Sequence, residues 1–257
     1  MTGRTRRAPI VAVEGISGAG KSTLVARAAG HGWTPLAEAY DRLDPPPDLT
    51  VPTVTALART ERALLAEEGR RWVAARAIAA TGRPVVADTG FLGPLTYTAA
   101  LVALGQAPAS LARALTATAR QRAARGAWGL PDAIVFLDTR PRTRAGRVDR
   151  DPVRHPPALA RRHEAVGRLE ERFYRGRLPA LLPGRLRWLS AEADAERVAD
   201  RFLRTARTVR PVAASPAAAR RLLTALAGGI GPTAGEGGRR PSATVKNGSQ
   251  SGRGPPR

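Results

Sequence analysis

The residues with the clearest chemical signature form the stretch Gly-Ile-Ser-Gly-Ala-Gly-Lys-Ser at positions 15–22. This spacing matches the phosphate-binding pattern Gly-x-x-x-x-Gly-Lys-Ser/Thr without a mismatch. Its glycines allow backbone N–H groups to turn inward onto a phosphate at the start of a helix. We expect Lys21 to reach the β- and γ-phosphates and the Ser22 hydroxyl to bind Mg²⁺. The stretch therefore predicts an ATP site.

The segments on either side of this phosphate-binding loop fit the same interpretation. An apolar run at 10–13 precedes the loop and predicts a strand, and residues 23–29 are compatible with a helix. A strand, a glycine-rich loop and a helix in this order form the context that the motif needs, which argues against a chance glycine-rich turn. The predicted ATP-binding residues are Gly15, Ser17, Gly18, Ala19, Gly20, Lys21, Ser22 and Thr23.

Three acidic residues follow predicted strands and are candidates for metal binding or proton transfer. Asp88 ends the apolar run at 84–87, and the carboxyl ends of parallel strands are where α/β ligand sites form. Asp88 could hold Mg²⁺ together with Ser22, or could only cap the next segment. Glu14 and Glu38 are both candidates to orient or deprotonate an acceptor hydroxyl. Glu14 could instead bond to loop amides or pair with an arginine.

An arginine-dense segment at 139–157 follows the fourth predicted strand. It holds six arginines and few apolar residues. They are Arg140, Arg142, Arg144, Arg147, Arg150 and Arg154. In a phosphotransferase such a segment would act as a lid that neutralises the transferring phosphoryl group and excludes water. We select Arg147 and Arg150 as its catalytic members. The alternative is a solvated basic loop in a chain that is rich in arginine throughout.

These residues need a framework, and the apolar pattern predicts one. Short apolar runs at 10–13, 33–37, 84–87, 133–137 and 186–189 alternate with helical segments at 23–29, 53–80, 94–104, 109–124, 158–175 and 193–205. Thr53 is the expected N-cap of the long second helix. Alternation of this kind predicts an α/β fold with a five-stranded parallel sheet covered on both faces.

The domain organisation follows from a change of composition near residue 211. We expect one folded domain over residues 1–210. Residues 211–257 are rich in alanine, glycine, proline, serine and arginine, so we expect a disordered basic tail apart from a possible short helix at 217–227.

Composition excludes several classes of site. The chain has no cysteine, so disulfides and thiolate metal sites are ruled out. No apolar run of membrane-spanning length appears and the N-terminal segment lacks a secretion signal, so we expect a cytoplasmic protein without a membrane partner. The net charge of +21 comes almost wholly from arginine. Because arginine is spread over the whole chain, we expect non-specific contact with polyanions but no specific nucleic-acid function.

Four segments resemble the thymidylate kinase and deoxynucleoside kinase superfamily. They are VAVEGISGAGKSTL, GRPVVADTGFLGPLTYTAAL, FLDTRPRTRAGRVDRD and WLSAEADAERVADRFL, and the likeness runs over about residues 10–206. The resemblance implies the three-layer sandwich of P-loop NTPases, an ATP donor, Mg²⁺ and an acceptor site between the sheet and the helices.

The resemblance also assigns roles to individual residues. Asp88 matches the acid of that superfamily's Asp-Arg or Glu-Arg pair, and Arg70 falls near an arginine that meets the acceptor's phosphate. Tyr97 corresponds to a tyrosine that follows the pair in thymidylate kinases. Glu38 lies where deoxynucleoside kinases carry the glutamate that accepts the sugar hydroxyl proton, and Glu14 matches an acid before the loop of many thymidylate kinases.

Aromatic residues are sparse, so the few near the predicted cleft are candidates for base stacking. Phe91, Trp72 and Tyr97 are the ones concerned, although apolar side chains at such spacing are also typical of a core. We assign Phe91 and Tyr97 to the acceptor site together with Asp88 and Arg70.

One departure from the superfamily's pattern bears on the acceptor. Thr89 occupies the position of the expected arginine after Asp88. Threonine cannot replace the bidentate grip of arginine on a phosphate. The acceptor is therefore either a nucleoside monophosphate held by another arginine or an unphosphorylated hydroxyl compound.

The leading hypothesis is an ATP- and Mg²⁺-dependent kinase acting on a nucleotide, a nucleoside or a similar small molecule, with a homodimer as one possible assembly. The alternative is a nucleotide-binding switch or a non-catalytic ATP-binding protein.

Overall fold

The first strand of the chain is the central strand of the sheet. The most apolar segments of the chain form the innermost strands. The computed structural model describes residues 7–47, 53–150, 157–213 and 215–230. Five parallel strands form one sheet in the order β2-β3-β1-β4-β5. Their bounds are β1 Ile10–Glu14, β2 Thr34–Leu36, β3 Val85–Asp88, β4 Ala133–Asp138 and β5 Leu186–Ser190. The central strands are buried along nearly their whole length, as expected when helices cover both faces of a sheet.

Helices connect the strands and supply the outer layers. The helices are α1 Lys21–Ala29, α2 Val54–Ala80, α3 Gly93–Ala103, α4 Ala109–Ala124, α5 Pro141–Val148, α6 Pro157–Gly176, α7 Leu178–Leu181, α8 Ala195–Arg207 and α9 Pro216–Ala227. Thr53 caps α2 as predicted, because its side chain accepts a hydrogen bond from the Ala56 N–H at 3.1 Å. The predicted five-stranded parallel α/β architecture is confirmed. None of the helices within the described ranges has the length and apolarity that crossing a bilayer requires.

The two faces of the sheet carry separate apolar cores. On one face α1 and α8 pack together through Val25, Ala28 and Phe202. On the other face α3, α4, α6 and α9 contribute to one large cluster around Leu95 and Leu115. This larger layer is the one that flanks the candidate site, since it also contains Ile16 of the phosphate-binding loop.

Strand register determines which acidic residues meet. Val13 pairs with Asp88 and Glu14 pairs with Phe136, so the last residues of β1 and β3 lie side by side at the carboxyl edge of the sheet. Asp138 ends β4 at the same edge. The topology thus collects the predicted carboxylates where the phosphate-binding loop leaves β1.

The folded part of the chain extends beyond the boundary that we predicted at residue 210. Helix α9 contains the predicted helix at 217–227, and it packs on α4 with Leu222, Leu223 and Leu226 fully buried. Helix α9 and Ile230 therefore complete the larger core and are part of the folded domain. The expected disorder of the remaining residues, 231–257, concerns positions outside the described ranges.

Candidate active site

The phosphate-binding loop has the shape that its sequence predicts. Gly18 and Gly20 have φ angles of +79° and +98°, which only glycine adopts without strain. Helix α1 starts at Lys21, directly after Gly20. The Lys21 ammonium donates a hydrogen bond to the Gly15 carbonyl at 3.0 Å, so it lies over the loop. The predicted ATP-binding residues 15–23 thus form one continuous strand-to-helix turn whose helix N-terminus favours an anion.

A strained turn after β3 lies next to this loop. Thr89 has a φ of +53°, which is unusual for a residue that is not glycine. The Gly90 N–H donates to Glu14 Oε1 at 2.9 Å, and this tethers the turn to the end of β1. A Cβ at Gly90 would lie only 2.3 Å from that oxygen, so the close approach requires glycine. Strained backbone that the surroundings hold in place is typical of functional sites.

The arginine that fixes this turn is Arg71, a residue that we did not select from the sequence. Its guanidinium is fully buried and pairs with Glu68. It also donates to the carbonyls of Asp88 and Thr89 at 2.7 and 3.1 Å. The predicted residue, Arg70, is instead 63% exposed and pairs with Glu67. The assignment of Arg70 to the acceptor site is therefore not supported by its position.

Asp88 provides oxygens that suit a magnesium ion. It is 5% exposed at the end of β3, and its Oδ1 has no hydrogen-bond partner among the described residues. Carboxylate and hydroxyl oxygens are the ligands that Mg²⁺ prefers. The described ranges contain no cluster of three or more His, Cys, Asp or Glu side chains that would form a metal site from protein groups alone. The residues present fit an ion held by Asp88, Ser22 and the nucleotide.

Buried carboxyl groups surround the Lys21 ammonium. Burial raises the pKa of Glu14 to about 7, and the nearby Glu170 carboxylate raises it further while Lys21 lowers it. Burial likewise raises the pKa of Glu170 to about 7, against the opposing effects of a hydrogen bond from Thr96 and of Lys21. Burial also raises the pKa of Glu38, which lies close enough to interact with Lys21 and Asp88. The structure thus brings Glu14, Glu38 and Asp88 together and adds Glu170 from α6.

Two further glutamates extend this acidic region along α2. Glu61 is 2% exposed, and burial raises its pKa to about 8, with Glu170 adding to the effect. Glu68 is also buried, and burial raises its pKa to about 8 although Arg71 opposes the shift. The sequence offered no signal for Glu61 or Glu170, because residues so far apart in the chain meet only through tertiary packing.

The two aromatic residues that we assigned to the acceptor have different positions. Tyr97 is partly buried beside Glu61, Glu170 and Arg162, and burial raises the pKa of its hydroxyl to about 12. Phe91 is fully buried and packs edge-on against Trp72 with ring centroids 5.3 Å apart. Tyr97 therefore lies among charged side chains, whereas Phe91 is a core residue.

The predicted lid begins with helix α5, which is docked onto the phosphate-binding loop. The Arg147 guanidinium donates to the carbonyls of Gly18 and Ala19 at 3.3 and 2.9 Å. A third bond, at 3.0 Å, reaches the Ala191 carbonyl after β5. Arg150, two residues beyond the end of α5, instead bonds to the carbonyl of Gly146 in that helix. Of the two selected arginines, only Arg147 contacts the loop.

Arg144 joins this lid helix to α6 and was not selected from the sequence. Its buried guanidinium donates to the Thr139 carbonyl and pairs with Glu164 at 3.0 Å. A cleft of about 640 Å³ opens between α5, α6 and the loop residue Ser17. Arg161, Arg168 and Arg172 line the same cleft, so its walls are basic where the carboxyl edge of the sheet is acidic.

Comparisons with known proteins support the fold. No protein-family model matches the chain, and no curated protein is significantly similar to it. Among solved structures, deoxyadenosine kinase from M. mycoides with bound dATP matches with a TM-score of 0.63 and 14% identity, over 77% of this chain and 100% of that chain. The same enzyme with products dCMP and a flexible dCDP gives 0.60 and 13%, over 78% and 100%. With bound dCTP it gives 0.53 and 14%, over 78% and 100%. The chain has the fold of these P-loop kinases.

Proposed function

We propose that this protein is an ATP-dependent phosphotransferase that phosphorylates a free hydroxyl group on a nucleoside or a similar small molecule. The observation that carries the proposal is the convergence of Lys21, Glu38 and Asp88 at the carboxyl edge of the sheet. Similarity in fold to an enzyme named for a nucleoside substrate agrees with this function. A nucleotide switch would need the loop but would have no use for the buried carboxyl groups around it.

The electrostatics of the site favour an acceptor without a phosphate. Thr89 lacks the charge of the arginine expected there, and the guanidinium of Arg71 is committed to Glu68 and to two backbone carbonyls. The carboxyl groups of Glu14 and Glu170 interact with Lys21 and, when ionised, would repel a monophosphate dianion. A neutral hydroxyl compound meets no such penalty.

The proposed reaction is in-line transfer of the γ-phosphoryl group of ATP. A bond forms between the acceptor oxygen and the γ-phosphorus while the bond from that phosphorus to the β,γ-bridging oxygen breaks, leaving ADP. The loop amides and Lys21 hold the donor phosphates and stabilise the charge that develops on them. Mg²⁺, when bound by Ser22 and Asp88, would neutralise further phosphate charge. Arg147 fixes the loop from outside through the Gly18 and Ala19 carbonyls.

The contacts of the two candidate bases favour a different role for each. Glu14 is 6% exposed and accepts the Gly90 N–H, so we assign it to holding the turn that carries Asp88. Glu38 is only half-buried and follows β2 near Lys21. We assign Glu38 to accepting the proton of the acceptor hydroxyl.

This assignment predicts different consequences for the two glutamates. Glu38→Gln retains the shape but cannot accept the proton, so kcat is expected to fall by ~10²–10⁴-fold with little change in the KM for ATP. Steady-state kinetics with a responsive acceptor would measure this. Glu14→Gln is the comparison, and an equal loss of kcat in both variants with no loss of stability in Glu14→Gln would contradict the separation of roles.

The proposed function is tested with purified protein, ATP and pairs of acceptors that differ only in a 5′-phosphate. Deoxynucleosides and their monophosphates provide such pairs. We expect consumption of ATP with the unphosphorylated members. Preference for the monophosphates would mean that an arginine other than Arg71 grips the phosphate. ATP binding without transfer to any acceptor would favour the non-catalytic alternative.

A further inference from the structure

A buried glutamate of α2 has one carboxyl oxygen without a hydrogen-bond partner. Glu61 is 2% exposed, yet its Oε2 has no hydrogen-bond partner within the described part of the chain. Glu170 of α6 lies close enough to raise the pKa of Glu61, and Tyr97 of α3 lies close enough to interact with both carboxylates. Side chains from three helices therefore meet in one acidic cluster.

The cations of this region have partners other than Glu61. Lys21 interacts with Glu14, Glu38 and Glu170. The buried Arg71 pairs with Glu68, and Arg162 bonds to the Tyr97 hydroxyl. The neighbouring Glu170 carboxylate opposes the ionisation of Glu61.

An unpartnered buried carboxyl group of this kind is costly unless a ligand uses it. Desolvation of a polar group without a hydrogen bond opposes folding, and repulsion between like charges adds to that cost. An amino group is the complementary ligand chemistry, because it presents several N–H donors to carboxylate oxygens. An acceptor with only hydroxyl and carbonyl groups would bring oxygen lone pairs against them.

We propose that the phosphate acceptor carries an amino group that donates hydrogen bonds to Glu61 and Glu170, with Tyr97 lining the same pocket. This inference rests on the proposed kinase function and specifies its acceptor. The amino group is either an aliphatic ammonium or the exocyclic amine of a nucleobase, since both donate N–H groups. The raised pKa of Glu61 agrees with an ammonium ion that restores the ionised carboxylate when it binds.

The test compares phosphate transfer from ATP to two matched pairs. Glucosamine and glucose differ by an aliphatic amine, and deoxycytidine and deoxyuridine differ by an exocyclic amine. We expect kcat/KM to favour the amino member of one pair by at least ~10-fold, and the pair that responds identifies the source of the amine. Glu61→Gln should bring this ratio close to one without changing the KM for ATP. Glu171→Gln, which changes a glutamate of α6 that pairs with Arg175, is the matched control and should keep the ratio.

The failure of this inference is distinguishable from failure of the proposed function. Equal or better transfer to glucose and deoxyuridine, or an unchanged ratio in Glu61→Gln, would overturn the inference and leave the kinase function intact. Absence of transfer to all four compounds would count against both. Glu170→Gln repeats the test if Glu61→Gln does not fold.

A second measurement needs no acceptor. If Glu61 binds a ligand and does not stabilise the fold, Glu61→Gln should raise the Tm of the free protein at pH 9. The substitution removes a buried carboxylate that lies close to the Glu170 carboxylate. A lower Tm in Glu61→Gln than in wild type and Glu171→Gln would show that Glu61 serves the fold and would overturn the proposal.

Discussion

A single buried guanidinium determines the geometry of the turn that carries Asp88. Arg71 pairs with Glu68 and binds two successive carbonyls, while Glu14 holds the next N–H of the turn. These contacts fix Thr89 in a conformation with positive φ that an unsupported chain would avoid. The site therefore depends on residues that do not themselves touch a substrate.

The adjacent arginines of α2 provide a matched test of this role. Arg71→Met leaves the buried Glu68 without its cation and is expected to lower the free energy of unfolding by about 3–5 kcal/mol. Arg70→Met removes an ion pair whose arginine is mostly exposed, and should cost no more than ~1 kcal/mol. Urea denaturation of both variants measures the difference. Similar losses in the two variants would contradict the role assigned to Arg71.

The raised pKa values of the buried glutamates predict a pH dependence of stability. Burial raises the pKa of Glu14 and Glu170 to about 7 and that of Glu61 and Glu68 to about 8, from 4.5 in the unfolded chain. The folded state therefore binds more protons than the unfolded state between these values. Its stability should be highest on the acidic side and fall as the pH rises from about 5 to 8.

Unfolding experiments between pH 5 and pH 9 measure this slope. Glu61→Gln removes one of the four groups, so its stability should fall less steeply than that of wild type. Glu171→Gln, which changes another glutamate of α6, is the control. Parallel profiles for wild type and Glu61→Gln would mean that Glu61 ionises as freely in the folded state as in the unfolded chain.

At the scale of elements, the C-terminal helix α9 closes the core that flanks the site. Leu222, Leu223 and Leu226 are fully buried against α4 and its neighbours. The segment before α9 is also attached, because the Val212 N–H donates to Asp132 at 2.7 Å and the Arg7 side chain bonds to the Val212 carbonyl. After the helix, Arg177 bonds to the Gly229 carbonyl.

Truncation distinguishes this helix from the residues that follow it. A chain ending at Arg210 exposes the partners of three leucines, each worth about 1.5–3 kcal/mol of burial, and should lose much of its stability. A chain ending at Ile230 keeps α9 and is the reference. Thermal unfolding compares the two, and equal Tm values would contradict a structural role for α9.

The strands and helices could be predicted where the sequence pattern that specifies them spans only a few neighbouring residues. Apolar runs identified all five strands, and Thr53 identified the start of α2, because burial and capping act over a few residues. The short helix at 217–227 was visible, but its alanine-rich surroundings concealed that its leucines complete the core.

The part of the candidate site that a single segment forms could be predicted from the sequence. The part that several helices form together could not. The phosphate-binding loop needs only its own sequence. The choice between Arg70 and Arg71 depends on the rotation of α2 about its axis, because adjacent helical residues point about 100° apart. Glu61 and Glu170 meet only when α2 and α6 pack around α3, a contact that no local pattern encodes.

At the scale of the whole molecule, an arginine-rich chain with a net charge of +21 encloses an acidic site. Arginines line the outer cleft beside the lid helix, whereas carboxyl groups surround Lys21 at the carboxyl edge of the sheet. This division suits a polyanionic donor that enters along basic walls and an acceptor that is neutral or carries an amine.

Lys21 and its loop are proposed to catalyse γ-phosphoryl transfer to a hydroxyl group. The most direct measurement follows the label from [γ-³²P]ATP into a mixture of deoxynucleosides and amino sugars. Wild-type protein and the control Lys246→Ala, which changes the other lysine of the sequence, should form labelled product. Lys21→Ala should form it at least ~100-fold more slowly. Equal rates in Lys21→Ala and wild type, or no labelled product with ATP demonstrably bound, would contradict the account.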